Sequence, residues 1–430
     1  MEILLTELLV FLLLFRYYQA VNNFYFGPVS FLIAIYTLMA AASILTYALD
    51  ITPSALDLEI TPILYLVSLL ILPIYAFSIF KDRQLAEIRI NNYPLFDTIG
   101  SLLIIVSSIS WLYFFPNAIK ALSGHLGDNR AAMVYGTERL AFLDFGILNS
   151  FMTISANLFI LNFIWGYIYL TESLQKKKSS TIKAIVLFLT STSYAMNVFA
   201  FVGRDGFVLW VFSLVAVHLL LSGFISRNTK TSLQKIFLIV SGALAVPFWM
   251  ITEGRFADSS AGLFGSLITY IGGQPQMFSD YYQTLGNLQF GKMNFPIFCD
   301  LYNNLAGEVM CEYDRWEHAN HYIDSGVLPW SFATYIGAWL FDFGKTGTII
   351  LVILYSLAIR QTLNTIRQTR FITLSGLIIF FVLLNIALWG VFYFKQAVLN
   401  YSILSYLLVS MAFYLGGSRA AIIVPRVTEG

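Results

Sequence analysis

Charged side chains are scarce in this chain, since Asp, Glu, Lys and Arg make up only 11% of its 430 residues. A soluble domain carries roughly 25% charged residues. Hydrophobic residues make up 58% of the chain, so most of its side chains have little affinity for water. The composition excludes a soluble globular protein and predicts an integral membrane protein with many spans.

Features typical of nucleic-acid and nucleotide binding are also missing. The formal net charge is +1, and no basic stripe or recognition motif occurs, which excludes nucleic acid as a partner. No phosphate-cradling glycine loop is present, and no Cys/His spacing is typical of zinc. We therefore predict that the protein carries neither a cofactor nor a metal.

Long apolar segments dominate what the chain does contain. A spanning helix needs about 20 predominantly apolar residues, and about eleven segments are candidates. In chain order they are 2–15, 24–49, 60–80, 96–115, 141–170, 183–202, 206–225, 236–252, 343–359, 371–392 and 398–416. The first is short, lacks a basic flank and carries Glu2 and Glu7, so we interpret it as a retained helix rather than a cleaved signal peptide. The pattern predicts an all-α polytopic integral membrane protein.

Lysine and arginine gather in every second loop between these segments. The basic loops are 81–90, 171–183, 226–236 and 360–370. Because short cytoplasmic loops carry such an excess, these loops and the C-terminus are predicted to be cytoplasmic. Loop 50–59 has three acidic residues and no basic one, and it is predicted to face outward together with the large loop at 253–330.

Polar chemistry is concentrated in that large outward loop. Residues 253–330 hold nine acidic residues, three basic ones, two of the four histidines and both cysteines. Within it, 261–282 is apolar enough for an amphipathic or re-entrant helix on the membrane surface. We divide the chain into spanning helices with a second outward loop at 116–139 (1–252), the large loop (253–342) and the C-terminal spanning helices (343–430).

The two cysteines, Cys299 and Cys311, are separated by eleven residues of the outward loop. An even pair on the oxidising side of a membrane indicates a disulfide. Closing so short a loop stabilises a fold by roughly 3 kcal/mol in the chain-entropy model. Two free thiols are the alternative.

Arg204 lies in a Gly-Arg-Asp-Gly turn between two apolar segments. An arginine in this position is costly unless it is solvated, paired or bound to an anion. The flanking glycines, Gly203 and Gly206, leave room for a ligand to approach. The turn therefore indicates an anion site, although a tight turn in which Arg204 snorkels and Asp205 neutralises it has the same sequence.

Two further arginines are predicted to lie near the same membrane face. Arg255 begins the large loop, and Arg130 lies in loop 116–139. Guanidinium groups stay charged and bind phosphate in a bidentate manner. Together with Arg204 they form a candidate pyrophosphate site, and three ordinary interfacial arginines are the alternative.

Candidate general bases cluster later in the large loop, at Glu317, His318 and His321. A histidine, or a carboxylate whose pKa is raised by burial, can take a proton from a substrate hydroxyl. His318 and His321 are three residues apart and would share a face on a helix. A divalent-metal site and a solvated acidic loop remain alternatives.

Two other polar elements in this apolar chain have plainer interpretations. Asp342-Phe343-Gly344 matches a kinase triplet, but the glycine-rich and catalytic-loop signatures are missing, and the triplet opens a spanning segment. His218 lies in the middle of the segment 206–225 and is interpreted as a packed polar residue.

Several of these features together resemble a known family. The large outward loop before the last spans, the turn 203–206 and the motifs at 332–337 (Phe-Ala-Thr-Tyr-Ile-Gly) and 341–347 (Phe-Asp-Phe-Gly-Lys-Thr-Gly) resemble bacterial O-antigen (Wzy-type) repeat-unit polymerases. The resemblance covers most of the chain in architecture and only these short motifs in residues. It implies a GT-C-like fold in the bacterial inner membrane with the large loop in the periplasm.

The resemblance also implies a reaction and its partners. Oligosaccharide repeat units carried on undecaprenyl pyrophosphate would be joined into polysaccharide on the periplasmic face. Arg204, Arg255 and Arg130 would bind the leaving pyrophosphate, and His318, His321 or Glu317 would activate the acceptor hydroxyl. The implied partners are lipid-linked oligosaccharides, membrane lipids and a chain-length regulator protein.

Three other functions share this architecture. An O-antigen ligase is disfavoured because no His-Asn-x-x-Leu element is evident. A lipid-linked oligosaccharide flippase or transporter is disfavoured because the central thirds of the spans are nearly uncharged, whereas transporters place polar groups mid-membrane. A membrane acyltransferase would usually bring an intramembrane histidine, and His218 is a poor candidate.

Overall fold

A computed structural model describes residues 1–51, 54, 56–81, 84–123, 146–175, 178–256, 262–307, 311, 315–328, 332–394, 400–417 and 419–427. Its helices are, in chain order, α1 (Glu2–Val21), α2 (Pro28–Ala48), α3 (Ile60–Phe77), α4 (Tyr93–Leu122), α5 (Ile147–Asn157), α6 (Phe159–Tyr169), α7 (Glu172–Gln175), α8 (Lys178–Thr190), α9 (Ser193–Ala200), α10 (Asp205–Leu221), α11 (Arg227–Phe256), α12 (Gly262–Gly272), α13 (Gln274–Gln283), α14 (Pro296–Ala306), α15 (Arg315–Asp324), α16 (Thr334–Thr369), α17 (Leu374–Trp389) and α18 (Asn400–Leu415). The strands are β1 (Glu87–Ile90), β2 (Phe371–Thr373) and β3 (Ile422–Pro425).

The chain is an all-α polytopic membrane protein. Among the described residues, eight helices are long and apolar enough to cross a membrane, and α5 with α6 adds a ninth span if the two are counted together across their 46° bend. Each of the eleven apolar segments in the sequence lies wholly or largely in helix. The last two segments form the shorter helices α17 and α18.

Several helix boundaries differ from the sequence prediction, for example at the start of α11 (Arg227 rather than 236) and at both ends of α4. Two of the differences have a local explanation. Helix α1 continues past residue 15 to Val21, because the long side chain of the exposed Arg16 can leave an apolar surface without ending the helix. Helix α16 begins at Thr334, before the predicted start at 343, and is broken at Gly344, whose φ is 64°. Glycine adopts this left-handed conformation without steric cost, so the break falls there.

The chain forms two compact units. Unit 1 comprises Met1–Arg83, Phe264–Gln368 and Val382–Ile403. Unit 2 comprises Gln84–Leu263, Thr369–Phe381 and Leu404–Gly430. Each unit has its own buried core.

Aromatic stacking and a buried polar helix organise unit 1. Phe11 of α1 stacks on Tyr36 of α2 with their ring centroids 5.7 Å apart. Helix α13 packs against α2 and α3, and the Gln276 amide donates to Ser43 O over 3.1 Å. Residues 274–281 are all buried, so α13 does not lie on the surface of the unit as an amphipathic helix would, and the re-entrant alternative stays a prediction. The Gln276 bond to the α2 backbone gives a physical reason, because it satisfies the buried amide inside the unit.

Close helix packing organises unit 2 around α4. The indole of Trp165 in α6 stacks on Phe96 of α4 at 5.2 Å and donates from Nε1 to Phe96 O over 2.9 Å. A Cβ at Gly100 would lie only 2.7 Å from the Trp165 ring. The absence of a side chain at Gly100 therefore allows α4 and α6 to approach this closely.

A small sheet joins three segments of unit 2 that are far apart in the chain. The strand order is β2-β1-β3, with β2 parallel and β3 antiparallel to β1. Ile88 in β1 lies opposite Ile372 and Val424, and Val427 N donates to Gly223 O over 2.9 Å. The segments at or beside the predicted cytoplasmic loops 81–90, 226–236 and 360–370, and at the C-terminus, therefore meet on one side of unit 2.

Segments predicted to face outward likewise meet within unit 1. Thr269 of α12 donates to Ile51 O over 3.1 Å, and Ser54 donates to the Asp280 carboxylate over 2.6 Å. At another point, Thr334 N donates to Phe392 O over 2.9 Å. Loop 50–59 is therefore held against α12 and α13.

Candidate functional site

The Arg204 turn connects α9 to α10 within unit 2. Helix α9 is closed by the Gly203 amide, which donates to Val198 O over 2.9 Å. Arg204 is the N-cap residue of α10, so its guanidinium is attached where the helix dipole is positive. The sequence folds this way because Gly203 and Gly206 can approach α9 more closely than other residues.

The two glycines accommodate α9 rather than a ligand. A Cβ at Gly203 would lie 2.6 Å from Val198 Cγ1, and a Cβ at Gly206 would lie 2.5 Å from Val198 Cβ. Either substitution would push the turn away from α9. The sequence interpretation of these glycines as space for a ligand was therefore wrong, because Val198 fills that space.

Arg204 itself is buried, with 4% of its surface exposed. A snorkelling arginine keeps its charged end in water, which the buried Arg204 does not do, whereas its neutralisation by Asp205 stays an alternative. Burying a guanidinium is costly unless an anion and hydrogen-bond acceptors compensate it. The neighbouring Asp205 lies in the first turn of α10, where a carboxylate also interacts favourably with the helix dipole.

Further polar side chains are buried near the turn. Ser193 and Asn197 lie one helical turn apart on α9, and Asn197 directly precedes Val198. Both are buried, and within the described part of the chain Ser193 Oγ and Asn197 Oδ1 form no hydrogen bond. Buried polar atoms are normally hydrogen-bonded, so these two atoms are available to a polar ligand. Sequence reasoning missed them because serine and asparagine in an apolar helix look like ordinary packing residues.

The side chains of the other two candidate arginines, Arg255 and Arg130, lie outside the described residues. Arg255 is in the last turn of α11, and its side chain lies outside the described residues. Arg130 lies outside them altogether. The pyrophosphate site predicted from three arginines is therefore described here only through Arg204.

The candidate bases lie on α15 in unit 1. Glu317, His318 and His321 are all within this helix, so the two histidines have the predicted helical spacing, and the side chains of Glu317 and His318 lie outside the described residues. His321 is exposed, and its Nε2 is 2.8 Å from Thr284 O. A carbonyl oxygen only accepts hydrogen bonds, so Nε2 carries the proton, and in the neutral ring Nδ1 is the proton acceptor.

Two contacts hold α15 in place, one made by Tyr322 and the other by the His321 ring. The ring of Tyr322 is buried and packs edge-on against Tyr281 and Phe341, with centroids 5.1 Å and 5.5 Å away. A Cβ at Gly286 would lie 2.5 Å from the His321 ring. The imidazole therefore rests directly on the backbone at residues 284–286.

Cys299 and Cys311 form a disulfide with their Cα atoms 5.2 Å apart. Asn303, one turn after Cys299 on α14, also binds the backbone of Cys311. Its Nδ2 donates to Cys311 O over 2.7 Å, and its Oδ1 accepts from Cys311 N over 2.8 Å. Residue 311 is thus fixed to α14 by one covalent bond and two hydrogen bonds.

Asp342 of the kinase-like triplet has a structural role in unit 1. Its carboxylate is fully buried and accepts hydrogen bonds from Asn294 N over 2.9 Å, from Asn294 Nδ2 over 2.7 Å and from Met293 N over 3.2 Å. Asn294 Nδ2 also donates to Ala338 O. The interaction fixes the loop before α14 to the first part of α16.

Several polar side chains lie within the helical packing, outside the predicted site. Glu7 in α1 and Asp280 in α13 are buried, and Glu7 forms no hydrogen bond with any residue the structure describes. His218 of α10 bridges two helices, with Nδ1 2.6 Å from the Tyr167 hydroxyl and Nε2 3.1 Å from Gln234 Nε2. The prediction that His218 is a packed polar residue agrees with this geometry. The polar sequence of α13, which follows the apolar α12 in the chain, was the available signal for the burial of α13.

The candidate residues are divided between the two units. Arg204 and Arg255 belong to unit 2, and α15 with Glu317, His318 and His321 belongs to unit 1. Among the described residues, no group of three or more His, Cys, Asp and Glu side chains is arranged to hold a metal ion. No protein-family model, curated protein or solved structure matches this chain.

Proposed function

We propose that this protein is a glycosyltransferase of the bacterial inner membrane that joins oligosaccharide repeat units carried on undecaprenyl pyrophosphate, on the periplasmic face. The observation that carries the proposal is the burial of Arg204 at the N-terminus of α10. A guanidinium and a helix N-terminus both attract phosphate groups. Within an apolar unit, this pair suits the anionic head of a lipid-linked substrate.

The proposed reaction uses that positive charge on the leaving group. The acceptor hydroxyl oxygen forms a bond to the donor's anomeric carbon while the bond from that carbon to the pyrophosphate oxygen breaks. The pyrophosphate leaves as an anion on its lipid, so it needs electrostatic stabilisation rather than a proton. Arg204 supplies this stabilisation, and the buried Ser193 and Asn197 of the preceding helix α9 are proposed to supply polar contacts. A preorganised donor of this kind contributes about 3 kcal/mol to transition-state stabilisation.

The proton released by the acceptor goes to a general base on α15. His321 has the geometry for this step, because its Nε2 proton is engaged with Thr284 O and Nδ1 is left to accept. Glu317 and His318 on the same helix are the other candidates. Arg255 and Arg130 are proposed to assist Arg204 with the pyrophosphate, as the family resemblance implies.

A GT-C-like arrangement of about eleven spans is part of the proposal. It is supported by the helical state of all eleven apolar segments and by the sheet that gathers alternate loops of unit 2 on one side. That side is assigned to the cytoplasm because its loops are basic. The disulfide between Cys299 and Cys311 suits the opposite, oxidising side.

A flippase or transporter for the same lipid-linked substrate is the second candidate. It is favoured by the bend of 46° between α5 and α6 and by the buried side chains of Glu7, Asp280 and Gln276. Broken helices and polar groups inside the helical core are typical of transporters. These groups weaken the sequence argument that polarity gathers only outside the spans.

The experiment that tests the proposal is chain extension by the purified protein in lipid nanodiscs. The substrate is an undecaprenyl-pyrophosphate-linked repeat unit, and products are resolved as a ladder on a gel. We expect Arg204→Ala to reduce extension by about 100-fold or more, and Arg204→Lys to restore only part of it. Arg227→Ala, at an exposed arginine of the same unit, is the matched control and should extend chains normally.

Other outcomes separate the candidate functions. Normal extension by Arg204→Ala would remove Arg204 from the mechanism. Movement of a fluorescent lipid-linked unit across a liposome membrane, without extension, would instead identify a flippase. In cells, loss of the polymerase leaves the core glycan capped with a single repeat unit, whereas loss of a flippase or ligase leaves none.

A further inference from the structure

Helix α14 in the large outward loop carries an exposed apolar stripe. Phe298, Leu301, Tyr302 and Leu305 are spaced three and four residues apart, so they lie on one face of the helix. They are between 50% and 80% exposed, and no residue of α14 is buried. At least half of the surface of each stripe residue is therefore exposed.

The opposite face of α14 is polar and is attached to the protein. Asn303 pairs with both backbone groups of Cys311, and Cys299 forms the disulfide to the same residue. Asp300 and Asn304 also lie away from the stripe, by the 100° that separates consecutive helical residues. The helix is thus fixed on its polar side, and the apolar side is turned outward.

A contact with α18 sets the position of this helix relative to the membrane. The hydroxyl of Tyr401 donates to Asp300 Oδ2 over 2.7 Å. Tyr401 lies at the first turn of α18, an apolar helix, and tyrosine at the end of such a helix is typical of the membrane interface. The bond therefore ties Asp300 of α14 to the first turn of α18.

We propose that α14 is an interfacial helix whose stripe of Phe298, Leu301, Tyr302 and Leu305 inserts into the lipid bilayer beside α18. A helix of this kind lies parallel to the membrane with its apolar face about 5–10 Å below the headgroups. The bond from Tyr401 to Asp300 keeps the polar face at headgroup level, and the disulfide holds Cys311 to that side of the helix. The occupant of the stripe is the acyl-chain region of the membrane.

The test uses a nitroxide label on the full-length protein in nanodiscs that hold a single copy. Leu305→Cys places the label on the stripe, and Asn304→Cys places it one residue away on the polar side. The native cysteines are joined, so only the introduced thiol reacts. Power-saturation spectra then compare accessibility to oxygen, which concentrates in lipid, with accessibility to a nickel chelate, which stays in water.

We expect the ratio of oxygen accessibility to nickel accessibility to exceed one at Leu305→Cys and to fall below one at Asn304→Cys. A label at Leu408→Cys, on the exposed face of α18, gives the value for a lipid-facing site. Equal exposure of both α14 labels to the nickel chelate would overturn the proposal. Shielding of the Leu305 label from both reagents would also overturn it, because protein would then cover the stripe.

Discussion

The Nε2 atom of His321 donates a hydrogen bond to the carbonyl oxygen of Thr284 over 2.8 Å. This bond orients the imidazole on α15 and determines which ring nitrogen can accept a proton. A histidine whose second nitrogen is oriented in this way resembles the arrangement found in general-base catalysis, where a fixed tautomer is required. The relationship therefore selects His321 for mutagenesis among the three candidate bases.

His321→Gln separates the structural bond from the proton-accepting nitrogen. Glutamine keeps an amide N–H that can donate to Thr284 O, but it has no basic atom. We expect chain extension to fall by about 100-fold to 10,000-fold, the range for a general base, with an unchanged melting temperature. Full activity in this variant would reassign the base to His318 or Glu317.

Gly286 offers a way to displace the His321 ring without replacing it. A Cβ at this position would lie 2.5 Å from the imidazole, so Gly286→Ala must shift α15 or break the bond to Thr284 O. We expect lower thermal stability of the large loop and lower chain extension. Limited proteolysis and the extension assay measure the two effects.

Gly242→Ala is the matched control for Gly286→Ala. A Cβ at Gly242 meets nothing within 4 Å, and the residue lies inside α11. Alanine is favoured over glycine in a helix interior by about 1 kcal/mol, so this variant should be as stable as the parent or slightly more stable. Equal behaviour of the two variants would show that the approach of His321 to residue 286 has no consequence.

The helical framework could be predicted from the sequence because hydrophobicity along the chain reports directly on it. Each apolar segment lies wholly or largely in helix, and β1, β2 and β3, which lie at or beside two basic loops and near the C-terminus, pair in one sheet of unit 2, where Ile88 lies opposite Ile372 and Val424. The prediction of which loops share a side depends only on the number of spans between them. Errors of several residues in the helix boundaries, such as those at Val21 and Thr334, leave this prediction unchanged.

The site was harder to predict because its geometry depends on contacts between distant residues. The partner of Asp342 is Asn294, 48 positions earlier, and no local pattern connects the two. The burial of α13 depends on its packing against α2, where Gln276 finds Ser43 O. The glycines beside Arg204 were conspicuous in the sequence, but only the position of Val198 explains them.

Asp342→Asn tests whether the kinase-like triplet is structural. The carboxylate accepts three hydrogen bonds from Met293 and Asn294, whereas an asparagine side chain would turn an N–H group toward at least one of these donors. An unsatisfied buried polar group costs about 1–3 kcal/mol. We expect a lower melting temperature in detergent, and no change for Asp324→Asn at an exposed site in the same unit. An unaltered melting temperature for Asp342→Asn would show that these bonds contribute nothing.

Helix α14 is linked to residue 311 by a disulfide and by two hydrogen bonds from Asn303. The covalent and the hydrogen-bonded parts of this link can be removed separately by mutation. The native chain should resist alkylation until it is reduced, after which two thiols react. Replacing both cysteines by serine should cost roughly 3 kcal/mol of loop stability, whereas Asn303→Ala leaves the disulfide in place but removes two hydrogen bonds, each worth about 1 kcal/mol. Protease cleavage between residues 299 and 311 should therefore be fastest in the double serine variant, slower in Asn303→Ala and slowest in the parent. Cleavage of the Asn303→Ala variant at the parental rate would mean that the disulfide alone holds the loop, and alkylation of the unreduced parent would contradict the disulfide itself.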